Sequence, residues 1–324
     1  MGIVAAALAV CGCSDGPNPP AGPTATAQTT LAPLPTQAAP TVTGWQASLQ
    51  RVTVSLFKEH SFCTGTWVSA HAVLTAAHCV EEMDPTTFFV VPEADARAPK
   101  VKLKTGGFYI HPSYLAARRL SSAVALAPQI AADFAVVSVP GGKPEDAKIA
   151  ILDFEHTVKK QQSYRVAGFG HTGKQDGVPV GGGILRNGEL TALYKLANKD
   201  AFPKGGAGHY WVLDGGGGVQ VCQGDSGGPA FWVSGNDVMQ FGVNSYIMPG
   251  TATEVADIQR LGDKADRGEL WSPEELTAYG RFLSAVKNVQ DRGCSRLVAV
   301  ASVGEMRDWI RARSDEIEHD AGAK

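Results

Sequence analysis

"VCQGDSGGPAFW", Val221 to Trp232, sets one serine behind an aspartate in a run of glycines closed by a proline. Two readings compete: Ser226 is a nucleophile on a tight bend, or the stretch is a glycine turn, since glycine accepts backbone angles that other residues avoid. A hydroxyl is a poor nucleophile until a base takes its proton, and that base must be held in one tautomer by a third group. The rest of the chain is therefore searched for one histidine and one acid in compatible settings.

There are eight histidines. Only His78, in "LTAAHC", ends a β-rich run beside a cysteine able to staple its backbone. For the acid, Asp133 in "AADFAVVSVP" stands at the mouth of an apolar strand, where a carboxylate costs desolvation unless something donates to it. An imidazole N–H is such a donor, although a simple turn aspartate fits equally well. Around Ser226, Gly224 and Gly227 free the chain to bend, so that the N–H groups of Gly224 and Ser226 can converge on a developing oxyanion. Asp225 itself calls for a cationic partner.

The 324 residues are 44% apolar and 19% charged with a net charge of -3, which suits an ordinary globular protein, and no basic tract suggests a nucleic-acid partner. At the start, "MGIVAAALAVCGCSDG" carries an apolar stretch too short to span a bilayer and suited to an export signal over residues 1–13. "VCGC" is similar to the bacterial lipoprotein processing box, which makes Cys13, preceded by small Gly12, the expected lipid acceptor, a tether rather than a spanning helix. Residues 14–41 are rich in Pro, Ala and Thr and read as an extended linker. The expected location is secreted or on a bacterial cell envelope. Of six cysteines, Cys63, Cys79, Cys222 and Cys294 remain for the folded part; export makes disulfides plausible, and three pairings are open.

Short β-rich runs dominate from residue 42: "RVTVSLF", "TTFFVVP", "VKLKTGGFYIHP", "DFAVVSVP" and "QSYRVAGFG". Regular crossover helices, which a parallel α/β sheet needs, are missing from the pattern. Two late helices are expected. One begins with Ser272 as N-cap, Pro273 at the first position and Glu275 closing a capping box, with Leu276, Tyr279, Phe282, Leu283 and Val286 on one face. The other runs from Val303 to His319, with Met306, Trp309 and Ile310 docked and a polar tail over residues 313–324.

"TAAHC", "DFAVV" and "CQGDSGGP" occur in the chain order His, Asp, Ser. With "HPSY", "VAGFGHTG", "FGVNSY" and "MRDWI" they make the chain resemble the trypsin/chymotrypsin-like serine endopeptidases over residues 42–312. That resemblance implies an all-β fold of two six-stranded antiparallel barrels with a C-terminal helix, to which this chain adds a helical insertion at residues 248–293 in the second lobe. It further implies a triad of His78, Asp133 and Ser226, an oxyanion hole at Gly224 and Ser226, disulfides Cys63–Cys79 and Cys222–Cys294, protein or peptide substrates, and no metal or organic cofactor. Gln220 falls at the primary specificity position, and Ser245, Tyr246, Ile247 and Val298 at the walls of that pocket. A neutral amide does not neutralise a basic side chain, so small or medium uncharged side chains are expected rather than Arg or Lys.

Two features depart from the family. The insertion 248–293 reads as a lid, an exosite, a cover or plain packing. The Ile/Val-Val-Gly-Gly terminus whose ammonium pairs with the aspartate before the serine has no match here, so Asp225 needs either cleavage near Thr41 or Val42, or an internal group, or its pocket stays unformed. The rival to an active endopeptidase is a silent homologue serving as a surface binding module. An α/β-hydrolase esterase is disfavoured because its triad runs Ser, Asp, His.

Overall fold

The computed structural model describes residues 32–33, 44–58, 61–119, 126–196, 209–249, 257, 260–264 and 267–323. The export signal, Cys13, most of the linker, Thr41, Val42 and parts of the insertion lie outside the described residues. Among those described, no helix is long and apolar enough to cross a membrane.

The second lobe is a closed six-stranded antiparallel barrel. Its strands run Arg186–Leu196, Ser163–Gly168, Pro229–Ser234, Asp237–Met248, Leu297–Ser302 and Tyr210–Asp214, and the last pairs back onto the first. Val166, Leu190, Leu213, Ala230, Phe241 and Val300 fill its interior. The first lobe is an antiparallel sheet in the order Leu103–Lys104, Phe89–Val91, Thr53–Lys58, Ser61–Trp67, Ala72–Thr75, Ala135–Ser138, Gly107–Ile110. Its two edge strands are joined only by Thr105 and Gly106, so the sheet must curl on itself. It differs from the expected closed barrel because that junction is spent elsewhere: Thr105 Oγ1 donates to Pro85 O at 2.7 Å, and Gly106 N donates to Ser138 O at 2.8 Å.

Three differences from the sequence reading are local. Arg51 and Val52 close a helix, Trp45–Val52, rather than open a strand, because Leu49 and Val52 bury one helical face. The Thr53–Lys58 strand begins only after it. Ala32 and Pro33, expected in the linker, pair with Asn187 and Arg186 on the edge of the second lobe. The segment after residue 312 is no tail: the helix Arg307–Gly322 buries Ile310, Ser314 and Ile317 along one stripe. Its Glu318 accepts from Ser69 Oγ at 2.5 Å and from His71 N at 2.7 Å, which fastens the helix to the first lobe.

Candidate active site

His78 sits in the 3-10 turn Ala77–Cys79, directly after a fully buried strand, and the Cys63–Cys79 disulfide ties that turn to the neighbouring strand. Asp133, wholly buried, lies between the helix Leu126–Ala131 and the strand Ala135–Ser138. One carboxylate oxygen accepts from the His78 backbone N–H at 3.0 Å, and the other is 2.7 Å from His78 Nδ1. Both the backbone and the ring of the histidine are thus aligned by one acid. Burial opposes the charged imidazole, but the Asp133 charge and hydrogen bond, with Glu81 farther off, outweigh it and hold His78 above its ordinary 6.5.

Ser245 supplies the third bond to Asp133, its Oγ donating to Oδ2 at 2.6 Å. Sequence reasoning placed Ser245 on the specificity pocket. Its side chain turns to Asp133 where the ladder between Asp237–Met248 and Leu297–Ser302 skips a residue between Asn244 and Tyr246. Tyr246 then packs its ring against the imidazole, centroids 5.0 Å apart.

Ser226 lies half-buried on the turn between Val221–Cys222 and Pro229–Ser234, anchored by the Cys222–Cys294 disulfide. Thr64 of the first lobe holds this turn. Its N–H donates to Ser226 O at 2.8 Å, its Oγ1 donates to Gly224 O at 2.8 Å, and the same Oγ1 accepts from Phe169 N at 3.0 Å. Thr64 was not singled out from the sequence; a small polar residue inside the strand "SFCTGTW" was its only signal. Gly224 adopts φ +100°, and a Cβ there would meet Gly170 Cα at 2.8 Å, so both the angle and the close backbone approach require glycine.

Asp225 points away from Ser226 into the protein. Its carboxylate accepts from Gly170 N and Cys222 N, each at 2.8 Å. Burial pushes its carboxyl up to about 6 against the opposing pull of those two donors and of the Arg186 charge. Arg186 is itself buried and donates Nη1 to Gly170 O at 3.1 Å, on the same backbone segment that Asp225 grips. Arg186 is thus a buried cation close enough for its charge to act on Asp225, though no ion pair within 4 Å joins the two; the sequence reading missed it, because burial of a lone arginine after "GGGIL" leaves no periodic trace.

Geometry also bears on the ammonium alternative. Gly44 abuts Asn236, just past one end of the strand Pro229–Ser234, whereas Asp225 precedes its other end and lies against Gly168. That strand spans roughly 15–20 Å, while two residues of chain upstream of Gly44 reach about 7 Å. Gly44, where the continuous described chain of the first lobe begins, therefore lies at the far end of that strand from Asp225.

The remaining predicted pocket residues part company. Gln220 is half-buried beside the Val221–Cys222 strand. Ile247 and Val298 are register partners on adjacent strands and are buried together in the second-barrel cluster with Val221 and Trp211. The nearby Arg296 is neutralised by Asp214, Nε to Oδ1 2.7 Å.

Among the described residues, the cluster at metal-ligand spacing is Cys63, His78 and Cys79, whose two sulfurs are bonded to each other and have no thiolate to offer. In the described part of the insertion, Leu261, Tyr279 and Phe282 are buried against the second barrel. Of the face predicted for its long helix, Leu276 is instead 46% exposed, and the side chains of Leu283 and Val286 lie outside the described residues.

A family model described as Trypsin matches residues 35–260, more than two thirds of the chain and all the elements that carry His78, Asp133 and Ser226. Motif order, barrel topology and this match agree: the chain belongs to the trypsin/chymotrypsin-like serine protease family.

Proposed function

We propose that the protein is an active serine endopeptidase. The observation that carries this reading is the doubly bonded His78–Asp133 pair, beside a glycine-framed Ser226 whose carbonyl oxygen lies 3.7 Å from Cys79 Sγ and accepts from Thr64 N of the first lobe. His78 accepts the Ser226 proton as Oγ attacks the scissile carbonyl, then returns it to the leaving amine as the C–N bond breaks. Asp133 fixes the Nδ1–H tautomer and stabilises the imidazolium. The N–H groups of Gly224 and Ser226 receive the tetrahedral oxyanion. Water, deprotonated by His78, then releases the acyl group from Ser226.

In this reading the Arg186 charge and the two backbone donors to Asp225 partly offset its burial, and they stand in for an N-terminal ammonium in setting the oxyanion turn. Ile247 and Val298, together with uncharged Gln220, favour small uncharged side chains at the cleavage site. Export with lipid attachment at Cys13 belongs to the same proposal, supported by "VCGC" and by two disulfides; metabolic labelling with a fatty-acid probe tests it, and an unlabelled Cys13 overturns it.

Cleavage profiling with a diverse peptide library tests the activity. Turnover with preference for Ala, Ser or Val before the cut, lost in Ser226→Ala, is expected. No turnover, together with saturable binding of a partner, favours the silent homologue.

A further inference from the structure

We propose that the described parts of the insertion, the segment 260–264 and the helix Pro273–Arg292, are a positioning element that locks the Asp133 segment of the first lobe to the strand of the second lobe that carries Ser245. The inference rests on the endopeptidase reading for its consequence, not for its geometry. Leu261, Tyr279 and Phe282 of the insertion share one buried cluster with Ala127, Ile130 and Ala131 from one lobe and with Met248, Leu297 and Tyr210 from the other. This seam is separate from either lobe's own core.

Its two sides lead straight to the site. Ala131 lies two residues before Asp133, and Met248 three residues after Ser245, the donor to Asp133. Tyr246, on the same strand, packs both on this cluster and on the His78 ring. The insertion is built to be rigid at this seam. Tyr279 and Tyr210 hydroxyls are 2.7 Å apart, and Ser295 Oγ donates to Met248 O at 2.5 Å, joining the two ends of the insertion at its base. Glu275 accepts from Ser272 N and Lys264 Nζ, each at 2.8 Å, and from Arg260 Nη1 at 2.5 Å, so the cap of the long helix also holds the short helical segment 260–264. Gly262 lies so close to Tyr194 that a Cβ there would meet its Cβ at 2.7 Å. A loosened seam lets Asp133 and Ser245 drift apart, and small misplacements of an orienting group cost catalysis disproportionately.

The test is an NMR titration of His78, whose charged neighbours are Asp133 and Glu81 with Tyr246 against its ring, run beside fluorophosphonate labelling of Ser226 on the full chain. Phe282→Ala is expected to lower the His78 midpoint by on the order of half a pH unit and to slow labelling on the order of tenfold. Phe282→Leu is expected to restore most of both, and Leu276→Ala, exposed on the same helix, to change neither. If Phe282→Ala does not fold, Phe282→Leu and Ile130→Val must each show smaller shifts in the same direction. A folded Phe282→Ala protein with the wild-type midpoint and labelling rate overturns the proposal, as do unshifted values in both milder variants. A wild-type chain that titrates as described yet never labels at Ser226 sinks the endopeptidase reading alone.

Discussion

Asp225 is the residue at which chemistry and stability pull in opposite directions. Its carboxyl is raised from 3.8 to about 6, so its favourable contribution is complete below pH 3.8 and is lost as pH rises through about 6. That difference corresponds to about 3 kcal/mol. Thermal melts of wild type should therefore show a component falling across pH 4 to 6.5, and Asp225→Asn should flatten it; an unchanged slope assigns the titration elsewhere. Arg186 opposes the penalty. Arg186→Met should slow labelling of Ser226 about tenfold or more, about 1.4 kcal/mol, with Arg186→Lys recovering part, and an unaffected rate removes Arg186 from the account. At His78 the sign is reversed in use: its raised pKa places the acid limb of kcat/KM above pH 6.5, since only the neutral imidazole accepts the serine proton. The pairing of His78 with Asp133 was legible because each motif combines a reactive group with an unusual local setting. Thr64 and Arg186 were not, since their importance lies wholly in what a distant part of the chain places opposite them.

Among the elements, the capped helix shows how far local signals carry. Ser272, Pro273 and Glu275 announced its start, and Ser272 N does donate to Glu275 Oε2 at 2.8 Å. Which face it buries was only half legible: Tyr279 and Phe282 go inside, while Leu276 stays outside. The C-terminal helix taught the reverse. Its charged sequence after residue 312 suggested a tail, but Ile317 and Ser314 are buried and Glu318 is held by Ser69 and His71. Deleting residues 314–324 should cost about 3 kcal/mol through lost burial and hydrogen bonds, or a drop in Tm of roughly 5–10 °C. A melt unchanged by the deletion contradicts the docking.

For the molecule as a whole, the two lobes meet at a seam that no single motif encodes. The chain order of the motifs sufficed for the topology of the second barrel, whereas the curl of the first sheet depends on how Thr105 and Gly106 are spent, a tertiary matter. Each lobe's half of the site is stapled: Cys63–Cys79 beside His78, and Cys222–Cys294, across a separation of 72 residues, beside Ser226. Replacing Cys222 and Cys294 by serine should lower stability by about 4 kcal/mol, read as a fall in Tm with the Cys63–Cys79 bond intact; an unshifted melt contradicts it. The central claim is that the two halves act together on one serine. Reaction of the full chain with a fluorophosphonate, followed by peptide mass mapping, tests it most directly: the account predicts a single adduct on Ser226, lost in His78→Ala, and a folded chain without an adduct, or with one on another residue, contradicts it.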